Sequence, residues 1–163
     1  MNPLRQVDAV DRRLIEALRR NARATYAELA RLVGLSAPAV HERVGKLEAA
    51  GVITGYHAAV APAALGLGVS ALVGIVQGDS ADADRIADDV RAMPEIEDCW
   101  FVAGAETFVV KVRVPDVAAL EQAIGAINRI SGVAHTRTTV VLSTRFEGRV
   151  RPATEDNDIP SDE

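Results

Sequence analysis

The chain has 163 residues, 48% hydrophobic and 25% charged, which suits one ordinary domain or two small ones and excludes a disordered or fibrous chain. Its single cysteine, Cys99, excludes an intramolecular disulfide framework and a cysteine-rich zinc module, and an aromatic content of 4% is too low for a base-stacking surface for single strands. The net charge of -5 speaks against a nucleic-acid partner, but residues 1–60 hold nine Arg and Lys against six Asp and Glu, while residues 61–163 hold nine against seventeen.

The basic first half reads as three helices. Asp8 is placed to cap the first, with Asp11 at its third position and Val10, Leu14, Ala17 and Leu18 at helical spacing. Asn21 is expected to stop it in a left-handed conformation. Thr25 and Glu28 form a capping box that starts the second helix, and Gly34 ends it. Ser36 caps the third, Pro38 sits in its first turn, and Val40, Val44 and Leu47 form its apolar stripe up to Gly51.

Helices two and three, separated by a short turn at Gly34, follow helix-turn-helix logic: Ala30 allows close approach, Gly34 supplies the turn and Val40 plugs the second helix into the first. A generic helical hairpin would share this pattern. As a recognition helix, the third would turn Ser36, Ala37, Pro38, Ala39, His41, Glu42 and Lys46 toward base edges. Arg43 falls where such motifs often place an apolar residue, so it either contacts phosphate or braces the motif. Arg23, with Arg19, Arg20 and Arg31, is a candidate phosphate contact.

No charged residue lies between Glu48 and Asp79, and Ala58–Val76 would flag in a hydropathy window. A membrane span is not expected there: Pro62, Gly66, Gly68 and Gly74 interrupt it, alanine supplies much of its bulk, and neither end carries a Lys/Arg cluster. It divides instead into a loop (Ala61–Gly68) and a buried strand (Val69–Gln77). Met1–Val7 has no apolar run, so no signal peptide is expected.

The second half alternates. After the first strand, Asp79 or Ser80 is expected to cap a helix reaching Met93. Ile96–Val102 and Thr107–Val114 read as strands, Pro115 and Asp116 open a helix to Ile130, and Val133–Leu142 is the last strand. The order β-α-β-β-α-β is the ferredoxin-like pattern, a four-stranded antiparallel sheet with two helices on one face. The fold class is therefore α+β: a three-helix, helix-turn-helix domain at 1–52, a linker strand or loop at 53–66, a ferredoxin-like domain at 67–145 and an acidic, disordered tail at 146–163.

The stretches Asp11-Arg12-Arg13-Leu14-Ile15, Asn21-Ala22-Arg23, Glu28-Leu29-Ala30, Gly34-Leu35-Ser36, Arg43-Val44, Lys46-Leu47-Glu48 and Gly51-Val52-Ile53 with Gly55-Tyr56 resemble the N-terminal domain of the Lrp/AsnC (leucine-responsive/asparagine regulator, feast/famine) family. Residues 65–142 resemble its ligand-sensing domain. The resemblance implies a transcription regulator that binds double-stranded DNA, dimerises through its C-terminal sheets, assembles further into tetramers or octamers, and responds to an amino acid between dimers; a chain with one cysteine, and so no internal disulfide, suits the reducing cytoplasm. In that family the turn between strands two and three carries a glycine followed three residues later by an acid. Here Gly104 is kept, Thr107 takes the acidic position and the acid stands at Glu106.

A zwitterion needs donors for its carboxylate and acceptors for its ammonium, so Ala103, Gly104, Ala105, Glu106 and Thr107 are candidate effector contacts, with His135, Thr136 and Thr138 on the last strand as further ones. A plain tight hairpin is the alternative reading of Ala103–Thr107. No catalytic constellation is visible, so no enzyme activity is expected. His41, His57 and His135 lack metal-ligand spacing, so no metal or cofactor is expected beyond the small effector. Cys99 reads as a core filler, and Trp100 as packed in the sheet or at an interface. Two other functions stay open: an amino-acid-sensing regulatory subunit of a metabolic enzyme, and a nucleoid-architectural DNA binder with little effector control.

Overall fold

A computed structural model describes residues 7–148, which fall into two compact units: residues 7–59 with 146–148, and Val60–Arg145. The acidic tail expected from residue 146 lies, from residue 149 onward, outside the described residues, as do residues 1–6.

In the first unit, α1 (Ala9–Arg20), α2 (Tyr26–Val33) and α3 (Ala37–Ala49) each begin at a side-chain cap. The Asp8 carboxylate accepts from the backbone N–H of Asp11 at 2.7 Å, and Thr25 and Glu28 complete the capping box. The Ser36 hydroxyl accepts more loosely from Ala39 N–H, at 3.4 Å. Asn21 does not stop α1 in the left-handed region: its φ is -145°, extended. Its side chain turns the chain instead, accepting from the Arg23 N–H at 3.0 Å, an Asx-type turn that makes a left-handed residue unnecessary. Gly34 does adopt φ +74°, and Gly34 and Leu35 both donate to the Ala30 carbonyl, closing the turn between α2 and α3. Leu14, Leu18, Leu29, Ala30, Val40 and Val44 pack into one buried cluster.

The second unit opens with a single 3-10 turn, Pro62–Leu65. No strand forms within residues 53–66, so the linker is loop and turn. β1 (Val69–Gln77), β2 (Ile96–Phe101), β3 (Phe108–Val114) and β4 (Val133–Val141) form one sheet in the order β2-β3-β1-β4, every neighbour antiparallel. The two helices are α4 (Ala83–Arg91) and α5 (Val117–Asn128). α4 is capped by Asp82, not by Asp79 or Ser80, and ends before Met93. Residues 78–81 are spent on a turn, closed by Ala81 N–H to the Gly78 carbonyl, which moves the cap downstream. Asp116 caps α5 as its position suggests. Among the described residues, no helix is long and apolar enough to cross a membrane.

Alternation along the strands separates two faces. Ala71, Val73, Ile75, Phe108, Val110, Val112 and Val114 are buried under Ile86 and Val90 of α4 and Leu120, Ala123 and Ile127 of α5. The opposite face is open to solvent and carries Leu72 and Trp100, both more than a third exposed. Cys99 is not in the core. It sits on the edge strand beside Phe101, lining a recess of about 630 Å³ next to α4, and is exposed because α4 covers only part of β2. Partial burial still pushes its thiol pKa up, which keeps it protonated and slow as a nucleophile.

Candidate nucleic-acid interface and effector site

The buried stripe of α3, Val40, Val44 and Leu47, sets which side chains face outward. Ser36, Pro38, His41, Glu42 and Lys46 are exposed, and Ala37 and Ala39 are half-buried. His41 meets the Tyr26 ring edge-on, with centroids 4.8 Å apart, which ties the outer face of α3 to the start of α2. Lys46 pairs with Glu42 one turn earlier, and that hydrogen bond holds the Glu42 carboxyl below its usual pKa. Arg23 is exposed in the turn after α1, and Arg19, Arg20 and Arg31 are exposed on α1 and α2.

Arg43 is engaged within the unit. Its Nη1 donates to Asp8 Oδ2 at 2.7 Å and to Asp11 Oδ1 at 2.8 Å, and Asp11 is fully buried. Of the two readings of Arg43, brace or phosphate contact, this geometry supports the brace. The sequence reading missed the partners. The signal was available: Asp11 lies in the apolar stripe of α1 with Leu14 and Leu18, and Arg43 lies in that of α3 beside Val44. Opposite charges placed in two facing apolar stripes call for each other. Tyr56, also missed, donates its hydroxyl to Glu48 Oε1 at 2.7 Å, fastening the segment after α3 to the end of that helix.

In the second unit the β2–β3 turn is anchored through Thr107. Val102 N–H donates to the Thr107 carbonyl at 3.0 Å, Thr107 N–H donates to the Ile75 carbonyl at 2.8 Å, and Gln77 N–H reaches the Thr107 hydroxyl at 3.3 Å. Thr107 thus holds the hairpin onto β1, while Ala103, Gly104 and Ala105 are exposed at the tip. Glu106 Oε1 lies 3.3 Å from Arg137 Nη1, with Glu106 three-quarters buried and Arg137 mostly exposed. Arg137 pairs in register with Gly74, whose missing side chain leaves room for Glu106. The register puts His135 and Arg137 on the open face and Thr136 and Thr138 on the helix face. The structure therefore brings Glu106 and Arg137 together and separates Thr136 and Thr138 from them. Arg137 was not among the sequence-based candidates; its position two residues from His135 on the same face was the available sign. Among the described residues, no three His, Cys, Asp or Glu side chains gather where they could hold a metal ion.

A helix-turn-helix unit and a ferredoxin-like unit in one chain define a two-module DNA-binding regulator. The AsnC-type helix-turn-helix domain matches residues 7–48, and the Lrp/AsnC ligand binding domain matches residues 69–150. The HTH-type transcriptional regulator LrpA of Mycobacterium tuberculosis is 39% identical over 143 residues, spanning 88% of this chain and 95% of that protein. The regulatory protein AsnC of Escherichia coli is 32% identical over 147 residues, spanning 90% and 97%. The feast or famine regulatory protein of M. tuberculosis, solved in complex with L-methionine, is 38% identical with a TM-score of 0.84, covering 90% of this chain and 99% of that one. The chain belongs to the Lrp/AsnC family: it is a DNA-binding transcriptional regulator with a domain for a small effector.

Proposed function

We propose that the effector is an amino acid and that the β2–β3 turn with Arg137 receives it. The observation that carries this reading is the Glu106–Arg137 pair beside the exposed tip Ala103–Ala105. A guanidinium and a carboxylate side by side match the two ends of a zwitterion, Arg137 taking the α-carboxylate and Glu106 the ammonium. Backbone groups near Gly104 and the ring of His135 add polar contacts. The complex of a relative with L-methionine supports an amino acid as the ligand class.

In this reading residues 1–52 bind DNA, residues 53–66 link, and residues 67–145 sense and assemble. Ser36, Ala37, Pro38, Ala39, His41, Glu42 and Lys46 meet the major groove, and Arg23 a backbone phosphate. Two copies pair through the open sheet face around Leu72 and Trp100, and effector binding between dimers selects which larger assembly forms. The protein acts by binding alone, without catalysis or a metal, on double-stranded DNA in the cytoplasm.

A thermal-shift screen of the twenty amino acids at millimolar concentration tests the effector assignment. At least one should raise the melting temperature, and Glu106→Gln and Arg137→Ala should each abolish that rise. A rise that survives both substitutions refutes the site; no rise with any amino acid refutes the effector class.

A further inference from the structure

We propose that Arg43 is a positioning residue of the recognition helix, acting through Asp8 and Asp11, and makes no contact with DNA. The inference rests on α3 being the recognition helix.

One guanidinium nitrogen of Arg43 meets both Asp8 and Asp11. Asp8 Oδ1 caps α1 by accepting from Asp11 N–H, Asp8 Oδ2 accepts from Arg43, and Asp11 Oδ1 accepts from the same Arg43 nitrogen. Arg43 lies 35 and 32 residues from these partners, so the clasp fastens the middle of α3 to the start of α1. Apolar contacts of Val40 and Val44 set which face of α3 is buried, but being non-directional they leave small rotations of α3 about its axis open. Charge-assisted hydrogen bonds are directional and remove that freedom. His41 lies two residues before Arg43 and Lys46 three after it, so a rotation there would move both exposed groups. The Asp8 and Asp11 carboxylates both stand against Arg43 Nη1, and they oppose the approach of a phosphate to that nitrogen.

The full-length chain is titrated with DNA over a range of salt concentrations, using Arg43→Ala, Asp11→Asn, Asp8→Asn and Lys46→Ala. Asp8→Asn is the mild variant, because asparagine still caps a helix but carries no charge for Arg43. Circular dichroism at the assay temperature selects the variants that remain folded. Under the proposal Arg43→Ala, Asp11→Asn and Asp8→Asn each weaken binding about tenfold, the scale of one misaligned base contact, with the salt slope unchanged. A phosphate contact predicts otherwise: Arg43→Ala would lower the salt slope by about 0.9, and loss of a carboxylate would tighten binding. Either result, a reduced slope in Arg43→Ala or tighter binding by folded Asp8→Asn, overturns the proposal. Lys46→Ala is the separate control on the recognition helix: unchanged affinity and slope there would refute the assignment of α3 itself.

Discussion

The side chain of Glu106 lies directly across Gly74: a β-carbon added at Gly74 would stand 2.5 Å from Glu106 Cγ. Cγ is close to the backbone, so Glu106 could not yield by moving its tip alone. Gly74→Ala should therefore push Glu106 away from Arg137, destabilising the second unit by about 1–2 kcal/mol through overpacking. Adding Glu106→Ala should recover most of that loss, a coupling that a double-mutant cycle in urea measures. Additive losses would show that the two residues do not compete for the same space.

Leu14 is fully buried among Leu18, Leu29, Val40 and Val44. Leu14→Ala removes three methyl or methylene-sized groups and leaves a cavity, so it should cost the first unit about 3 kcal/mol. Urea unfolding followed by helical circular dichroism reads the loss, and DNA binding should fall with it.

Trp100, the single tryptophan, sits on the open sheet face and is 46% exposed in one chain. A second copy packed on that face would cover it. Its emission should shift to longer wavelength on dilution, in step with the loss of dimer seen by analytical ultracentrifugation. An emission maximum independent of concentration, across a range in which the dimer dissociates, would place the dimer contact elsewhere.

Two capping carboxylates in the first unit are held below their usual pKa values. The backbone N–H of Asp11, then the Arg43 guanidinium, lowers Asp8; the backbone N–H of Thr25, then its hydroxyl, lowers Glu28. A carboxylate with a lowered folded-state pKa contributes stability that is present above its unfolded pKa and lost as pH falls through the folded value. The first unit should therefore lose thermal stability below about pH 4, the ordinary range of these groups. Asp8→Asn should flatten that dependence.

The Tyr56 hydroxyl has its pKa pushed up to about 12, first by burial and then by its hydrogen bond to the Glu48 carboxylate. A raised folded-state value means the neutral phenol is favoured on folding, so this stability is present below the ordinary tyrosine pKa and lost as pH rises toward 12. Ultraviolet titration should show one phenol ionising near pH 12, and Tyr56→Phe should remove that step.

Local rules carried the elements whose ends are capped by their own neighbours. Asp8, Thr25, Ser36 and Asp116 cap helices where the sequence places them, and the alternation of valines in β3 marks its buried face. The rules failed where a distant or competing contact decided. α4 starts at Asp82 because the preceding turn consumed Asp79 and Ser80, and Asn21 used its side chain rather than its backbone to end α1. Cys99 looked like core because strand periodicity cannot tell an edge strand from a central one.

The sequence by itself determined the two-module order, the helix-turn-helix, the ferredoxin-like pattern and the residues facing outward on α3. Each of these follows from spacing within one or two turns or strands. Tertiary structure alone decided which charges meet: Arg43 with Asp8 and Asp11, and Glu106 with Arg137 across Gly74. Those partners are separated by about thirty residues of chain, and only the packing of α3 against α1, and the register of β4 on β1, brings them within hydrogen-bonding distance. The net charge of -5 concealed the same fact at a coarser level, because a sum over the chain records neither where charges sit nor which of them are already paired.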